Sequence, residues 1–189
     1  MKIIVAITGA TGAPLAIKVI KQLKELNVTV HLIVSKWGKT TIQHECDMSY
    51  QTLCDMVDVV HSVNDQSASI ASGSFKTDGM IIVPCSMKTL AAIRCGFADN
   101  LISRAADVIL KERRKLIIVP RETPLSTIHL DNLFYLSKLG VTIIPPNPAF
   151  YHHPQTIDDI LTDIAVRILA QFDLNHPSAK SWQGLHDHQ

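Results

Sequence analysis

Two short stretches of the chain set small or hydroxyl-bearing residues directly after an apolar run, where a helix can begin. Thr8-Gly9-Ala10-Thr11-Gly12-Ala13-Pro14 follows Ile3 to Ile7, and Ser86-Met87-Lys88-Thr89 follows Met80 to Cys85. Glycines at 9 and 12 let backbone amides approach a phosphate closely, and the free N–H groups and dipole of a helix start favour an anion. The spacing is not G-x-G-x-x-G, so a tight turn that binds nothing also satisfies the first stretch, and ordinary N-capping by Ser86 satisfies the second. Arg121-Glu122 directly follows the apolar run Leu116 to Val119 and Pro120, so it emerges at a strand end; a structural ion pair is the alternative. Lys111, Arg113, Arg114 and Lys115 cluster at a helix end, where cations complement the dipole, and a structural role serves most of them. Arg167 stands among Ile164, Ala165, Ile168 and Leu169, which leads us to expect a partly buried guanidinium in need of an anionic partner.

The elements that must position these groups follow from hydrophobic periodicity. Apolar β-branched runs predict strands over Lys2 to Thr8, Thr29 to Ser35, Met80 to Pro84, Lys115 to Pro120 and Val141 to Pro145. Helical spacing predicts helices over Pro14 to Leu26, Lys36 to Glu45, Lys88 to Cys95, Leu101 to Arg113, His129 to Leu139 and about Thr156 to Phe172, the last capped by Thr156. This alternation is the pattern of an α/β fold in three layers, a mainly parallel sheet covered by helices on both faces. Ligands of such sheets bind beyond the carboxyl ends of the strands. The segments there are Thr8 to Pro14, Ser35, Cys85 to Thr89, Arg121 to Pro124 and Pro146 to Tyr151, and five strand ends are expected to face one pocket. Asn64 to Gly79 is polar, rich in serine, and reads as a long loop for binding or assembly.

Composition narrows the function classes. The 189 residues, 47% hydrophobic and 19% charged, suit one globular domain over residues 1–175, with a polar tail over 176–189 whose Trp182 is expected to dock on its own or a neighbouring subunit. A net charge of +1 provides no field for a nucleic-acid backbone or an anionic membrane. No apolar run approaches the ~20 residues of a membrane span, and Gly9 interrupts the amino-terminal run before it reads as a signal peptide. The four cysteines at 46, 54, 85 and 95 have no C-x-x-C spacing, which points to a reducing cytoplasm, and the nine histidines form no metal-ligand motif, so no metal site is expected.

The stretches Thr8 to Pro14, Ser72-Gly73-Ser74-Phe75, Pro84-Cys85-Ser86-Met87-Lys88-Thr89-Leu90, Asn100 to Asp107, Pro120-Arg121-Glu122-Thr123-Pro124-Leu125 and Pro145 to Tyr151, taken in order, resemble the UbiX-type flavin prenyltransferases, in the branch that accompanies phenolic or hydroxyarylic acid decarboxylases. The resemblance spans nearly the whole chain. It implies a flavodoxin-like or Rossmann-like fold, a homo-oligomer that is usually a dodecamer, and transfer of a dimethylallyl group from dimethylallyl monophosphate to N5 and C6 of reduced FMN. The prenylated FMN would serve a partner UbiD-type aromatic acid decarboxylase. Matching positions imply FMN contacts at Gly9, Ala10, Thr11, Ser35, Ser86, Met87, Lys88, Thr89 and Arg121. They place the allylic phosphate on Tyr151 and Arg167, with Arg104 contributed by a neighbouring copy, and catalytic roles on Glu122, Lys111, Glu45 and Trp182. Thr11 stands where many members have serine and keeps the hydroxyl; Asn147 stands where relatives often carry an apolar residue.

The chemistry agrees with these residue types. Breaking an allylic C–O bond develops a cation and releases phosphate, which calls for fixed positive charge at the leaving group and an electron-rich surface beside the carbon. Arg167, Lys111 and the Tyr151 hydroxyl suit the first need, and Trp182 suits the second beside the flavin. Glu122 and the released phosphate are the candidates for proton transfer during ring closure. Alternatives are a non-catalytic FMN-binding accessory protein of a phenolic acid decarboxylase, a flavin-dependent cysteine decarboxylase, whose P-x-M-N-x-x-M-W segment is absent, and a protein that itself decarboxylates phenolic acids.

Overall fold

A computed structural model describes residues 1–179. Its strands are β1 (Lys2–Ile7), β2 (Thr29–Val34), β3 (Val59–His61), β4 (Gly79–Cys85), β5 (Lys115–Pro120) and β6 (Thr142–Ile143). All pair in parallel in one sheet, in the order β3-β2-β1-β4-β5-β6. The helices are α1 (Ala13–Glu25), α2 (Lys36–Glu45), α3 (Tyr50–Asp55), α4 (Met87–Cys95), α5 (Leu101–Lys111), α6 (Thr127–Lys138) and α7 (Ile157–Leu169). The order is that of a doubly wound, Rossmann-like sheet, and its direction reverses between the neighbours β1 and β4, which makes the crevice beyond those two strands the natural ligand position.

Alternating side chains of each strand divide the core. Ile3, Val5 and Ile7 of β1 pack with α1 and α7, while Ile4 and Ala6 pack with α4 and α5. Because both faces are covered, these strands read as unbroken apolar runs, and that continuity made them legible. The α7 cap forms as expected: the Thr156 hydroxyl accepts from the Asp159 amide, and the Asp159 carboxylate accepts from the Thr156 amide.

Three features differ from expectation. β3 and α3 were not anticipated; β3 is a three-residue edge strand flanked by Asp58 and ending in His61, too short and polar to show a period. The long loop is held more firmly than its composition suggests. Its Ile70 is buried, Arg114 donates to the carbonyls of Phe75 (2.9 Å) and Gly73 (2.6 Å), and Arg104 donates to that of Ala71 (3.1 Å). Arg167 is exposed, not partly buried, and has no ion-pair partner among the described residues. At 100° per residue it falls off the stripe formed by Ile164, Ala165, Ile168 and Leu169, so neighbours in sequence are not neighbours on the helix surface.

One buried polar contact lies under the same loop. His31 Nδ1 and His61 Nε2 are 3.0 Å apart with their rings stacked, and Phe75 meets His31 edge-on. Burial, more than any neighbouring charge, lowers the pKa of both imidazoles.

Candidate functional site

Thr8 joins the two sides of the crevice. It is buried at the end of β1, where its hydroxyl donates to the Pro84 carbonyl (2.8 Å) and accepts from the Ser86 amide (2.8 Å). The turn after β1 is thereby bonded to the turn after β4. Ser86 caps α4, accepting from the Thr89 amide and donating to the Thr89 hydroxyl. Met87 is buried beneath this turn, and Lys88 is exposed at its lip. On the other side, Ser35 caps α2 by accepting from the Gly38 amide (2.9 Å), and its own amide donates to the Ile7 carbonyl (2.9 Å). Three helix starts therefore converge on the carboxyl ends of the adjacent strands β2, β1 and β4.

The turn itself is shaped by close approach. A Cβ on Gly9 would collide with Cβ of Trp37, whose side chain is 70% exposed at the mouth of the crevice. Gly12 has φ +117°, a conformation that favours glycine. Its amide and that of Ala13 donate to one oxygen of Glu45, at 2.8 and 2.9 Å, so a carboxylate of the chain itself occupies the first amides of α1. The amides of Gly9, Ala10 and Thr11 have no partner among the described residues. A cradle of unengaged amides beside Ser86 and Ser35 hydroxyls fits a phosphate-bearing ligand such as FMN, with the anion directed to residues 9–11 and not to the amides that Glu45 fills.

Arg121 joins this crevice through its backbone, its amide donating to the Cys85 carbonyl (3.1 Å). Arg121 and Glu122 are both exposed and form no ion pair among the described residues; Glu122 accepts from the Thr123 amide (3.1 Å). Cys85 beside them is no nucleophile, because complete burial pushes its thiol well above the ordinary range.

The other predicted residues stand elsewhere in the chain. Tyr151 and Arg167 line a common groove of about 800 Å³ between the segment after β6 and α7, with Asn147, His152 and Asp163. Neither the Gly9 turn nor Ser86 to Thr89 lines that groove. Asn147, where an apolar wall was the family pattern, adds a polar group to it. Lys111 ends α5, ahead of β5, whereas Arg121 and Glu122 follow β5. A strand of this length spans roughly 20 Å, so within one chain Lys111 and Glu122 lie at opposite edges of the sheet. Lys111 pairs there with Glu112 (2.5 Å). Arg104, half-buried on α5, holds Asp107 (2.8 Å) and the Ala71 carbonyl. The strand ends thus do not close one pocket within one chain. Trp182 lies outside the described residues. His176, which opens the tail, is buried and pairs with Glu25 of α1 (2.7 Å).

Sequence reasoning passed over Thr8 and Trp37 as separate site residues. Thr8 carries a usable signal, a hydroxyl ending an otherwise apolar strand; Trp37 has only its proximity to the Ser35 cap.

Comparison with known proteins bears on this geometry. A family model described as Flavoprotein matches residues 1–169. A probable UbiX-like flavin prenyltransferase of Escherichia coli O157:H7 is 58% identical over 186 residues, 98% of this chain and 94% of that protein. A dodecameric FMN-dependent UbiX-like decarboxylase from the same organism superposes with a TM-score of 0.96 at 57% identity, covering 97% of this chain and 100% of that one. AnUbiX, solved in complex with FMN and dimethylallyl pyrophosphate, superposes with a TM-score of 0.96 at 52% identity, covering 97% of each chain.

Proposed function

Because the chain belongs to the Flavoprotein family, in its branch of UbiX-type flavin prenyltransferases, we propose that it transfers a dimethylallyl group from dimethylallyl monophosphate to reduced FMN. The observation that carries this reading is the presence of two separate anion-suited places: the amide cradle at Gly9 to Thr11, and the groove holding Tyr151 and Arg167. A protein that only carried FMN would have no use for the second. Reduced FMN supplies the electron-rich N5 and C6 that accept the five-carbon group.

The residues of the chain divide the remaining work. Gly9, Ala10, Thr11, Ser35 and Ser86 to Thr89 seat the flavin, and Arg121 flanks it. Arg167 and the Tyr151 hydroxyl hold the phosphate of the donor and stabilise the charge that leaves with it. Glu122, exposed beside Arg121, moves the proton released on ring closure. Glu45, held at the start of α1 by the Gly12 and Ala13 amides, would supply negative charge to offset a cation developing on the allyl group. Lys111 and Arg104 sit away from the crevice of their own chain and serve the site of a neighbouring copy, which requires a homo-oligomer; the E. coli relative is dodecameric. The prenylated product goes to a UbiD-type decarboxylase. The four unpaired cysteines suit a cytoplasmic setting, and among the described residues no helix is long and apolar enough to cross a membrane.

The test is anaerobic incubation of the protein with reduced FMN and dimethylallyl monophosphate, or the diphosphate, followed by mass spectrometry of the flavin. A flavin enlarged by one five-carbon unit supports the reading. Tight binding of FMN that stays unmodified with both donors would make the chain a flavin carrier.

A further inference from the structure

Tyr151 and His152 are presented by one turn. The Phe150 carbonyl accepts from the His153 amide (3.0 Å), which sets Tyr151 and His152 at the two central positions, and the Gln155 side chain donates to the His153 carbonyl (2.8 Å). The Tyr151 and His152 rings lie 4.2 Å apart between centroids, tilted by 57°. Of the two adjacent histidines, His153 is exposed, whereas His152 is half-buried and lines the groove with Arg167 and Asp163. The ring nitrogens of His152 have no hydrogen-bond partner among the described residues.

The transfer proposed above calls for a proton at this groove as well as for positive charge. An allylic monophosphate is mostly a dianion in neutral solution, since the second ionisation of a phosphate monoester lies near pH 6. Breaking its C–O bond sends the electron pair to oxygen, and without a proton the departing group is the phosphate trianion, a strong base and a poor leaving group. Arg167 supplies charge but no proton, because a guanidinium stays protonated in proteins. Its charge is also matched by Asp163, the other groove-lining side chain of fixed charge among the described residues. An imidazole gains and gives up a proton in the neutral range, where a general acid works best.

Resting on the transferase reading, we infer that His152 is the acid of the C–O cleavage: its imidazolium meets the donor phosphate beside Arg167 and Tyr151 and gives its proton to the oxygen that leaves. The C–O bond breaks, its electron pair passes to that oxygen, and the proton moves there from His152. Hydrogen phosphate departs as the allyl carbon bonds to the flavin, and the neutral imidazole regains a proton from water. The titratable and charged groups around His152 are Tyr151 on its own turn and Asp163 and Arg167 on α7, with Lys111 and Arg104 added by a neighbouring copy on the oligomeric reading. Asp163 and Arg167 offset each other, so the incoming phosphate dianion is the charge that draws a proton onto the imidazole.

Two measurements test the role. The first is calorimetry at pH 7.5, in two buffers of different ionisation enthalpy, on protein loaded with oxidised FMN, which lacks the electrons to take the allyl group. Binding of dimethylallyl monophosphate should draw a net proton from the buffer in the wild type and none in His152→Gln. The second is anaerobic turnover with reduced FMN. His152→Gln can use only donor that carries its own proton, so its deficit against the wild type should be about 2-fold or less at pH 5.5 and about 30-fold at pH 7.5, the inverse of the monoprotonated fraction. Both proteins use the same flavin, so the ratio removes its titration. His153→Asn, at the exposed neighbour, should match the wild type at both pH values. Thermal melts and FMN affinity check the fold, and His152→Asn serves as the second variant at the same readouts. A deficit equal at both pH values, or wild-type binding without proton uptake, would overturn the role of His152 and leave the transfer itself in place. A wild type that leaves reduced FMN unmodified across this range would overturn the transferase reading, and the role of His152 with it.

Discussion

The flavin side and the phosphate side of the proposed site are built in different ways. At the crevice, the groups that frame the cradle are bonded within the chain: Thr8 ties β1 to β4, Ser35 and Ser86 cap their helices, and Glu45 fills the first amides of α1, while the amides of Gly9 to Thr11 have no partner among the described residues. Around the proposed phosphate position, the cations are dispersed. Arg167 faces an open groove, Lys111 sits at the far edge of the sheet, and Arg104 is engaged with the loop. On the proposed reading, the difference separates what one chain pre-organises from what a neighbouring copy adds. Backbone amides and hydroxyls satisfy one another locally, whereas several cations gathered within one chain would repel each other until an anion arrived.

The largest break in this comparison comes from Arg167→Ala. It should lower the rate of flavin alkylation by about 100-fold or more, the scale of losing one charge-stabilising donor, while FMN affinity measured by fluorescence quenching stays at the wild-type value. Equal losses of FMN binding and turnover would show that the two sides are not separate.

Thr8→Val is the reciprocal test. The replacement keeps the shape but leaves the Ser86 amide and the Pro84 carbonyl without the hydroxyl, which should cost about 1–3 kcal/mol in denaturant unfolding. FMN affinity should fall with it, because the two turns are then tied only by the Thr8 amide donating to the Pro84 carbonyl (3.2 Å). Unchanged stability would mean that the crevice is not held by this bond.

Glu45 yields a smaller effect. Glu45→Ala removes the acceptor for the Gly12 and Ala13 amides and should destabilise the fold by about 1 kcal/mol, in the range of a lost N-cap. Glu45→Gln retains an oxygen there and should lose less. Equal losses in both variants would assign the effect to the charge instead of the acceptor.

The smallest expected effect lies away from both sides. His31 and His61 have pKa values lowered by burial, so the unfolded chain binds protons that the folded pair resists. Their contribution is fully present above the ordinary imidazole value of about 6.5 and declines as the pH falls through the depressed folded values. Melting temperatures measured on descending pH should therefore fall below about pH 6.5, with a flatter slope in His31→Gln. An identical slope in that variant would acquit the pair.

Most of this fold was legible because sheets covered on both faces require continuous apolar strands. β1, β2, β4 and β5 all meet that requirement, and the turns after β1 and β4 were conspicuous as the places where it stops. The caps at Thr156 and Ser86 followed from side-chain chemistry that operates within four residues. What stayed hidden depends on long-range geometry. Glu45 meets Gly12 across more than thirty residues of sequence, the Thr8 hydroxyl finds its partners on another strand, and nothing in the order of residues says that Lys111 and Glu122 lie at opposite edges of the sheet. The burial of Arg167 was misjudged because its sequence neighbours are apolar, although the helix turns it away from them.

The division of the site between copies is tested most directly by co-expressing two inactive variants, Lys111→Ala and Glu122→Ala, and assaying the purified mixed oligomer for prenylated FMN. If Lys111 of one copy serves the Glu122 crevice of another, random mixing in equal amounts leaves about a quarter of the sites intact, and activity should return to about that fraction. If both residues act within one chain, every site lacks one of them. A mixed oligomer as inactive as either parent would contradict the account.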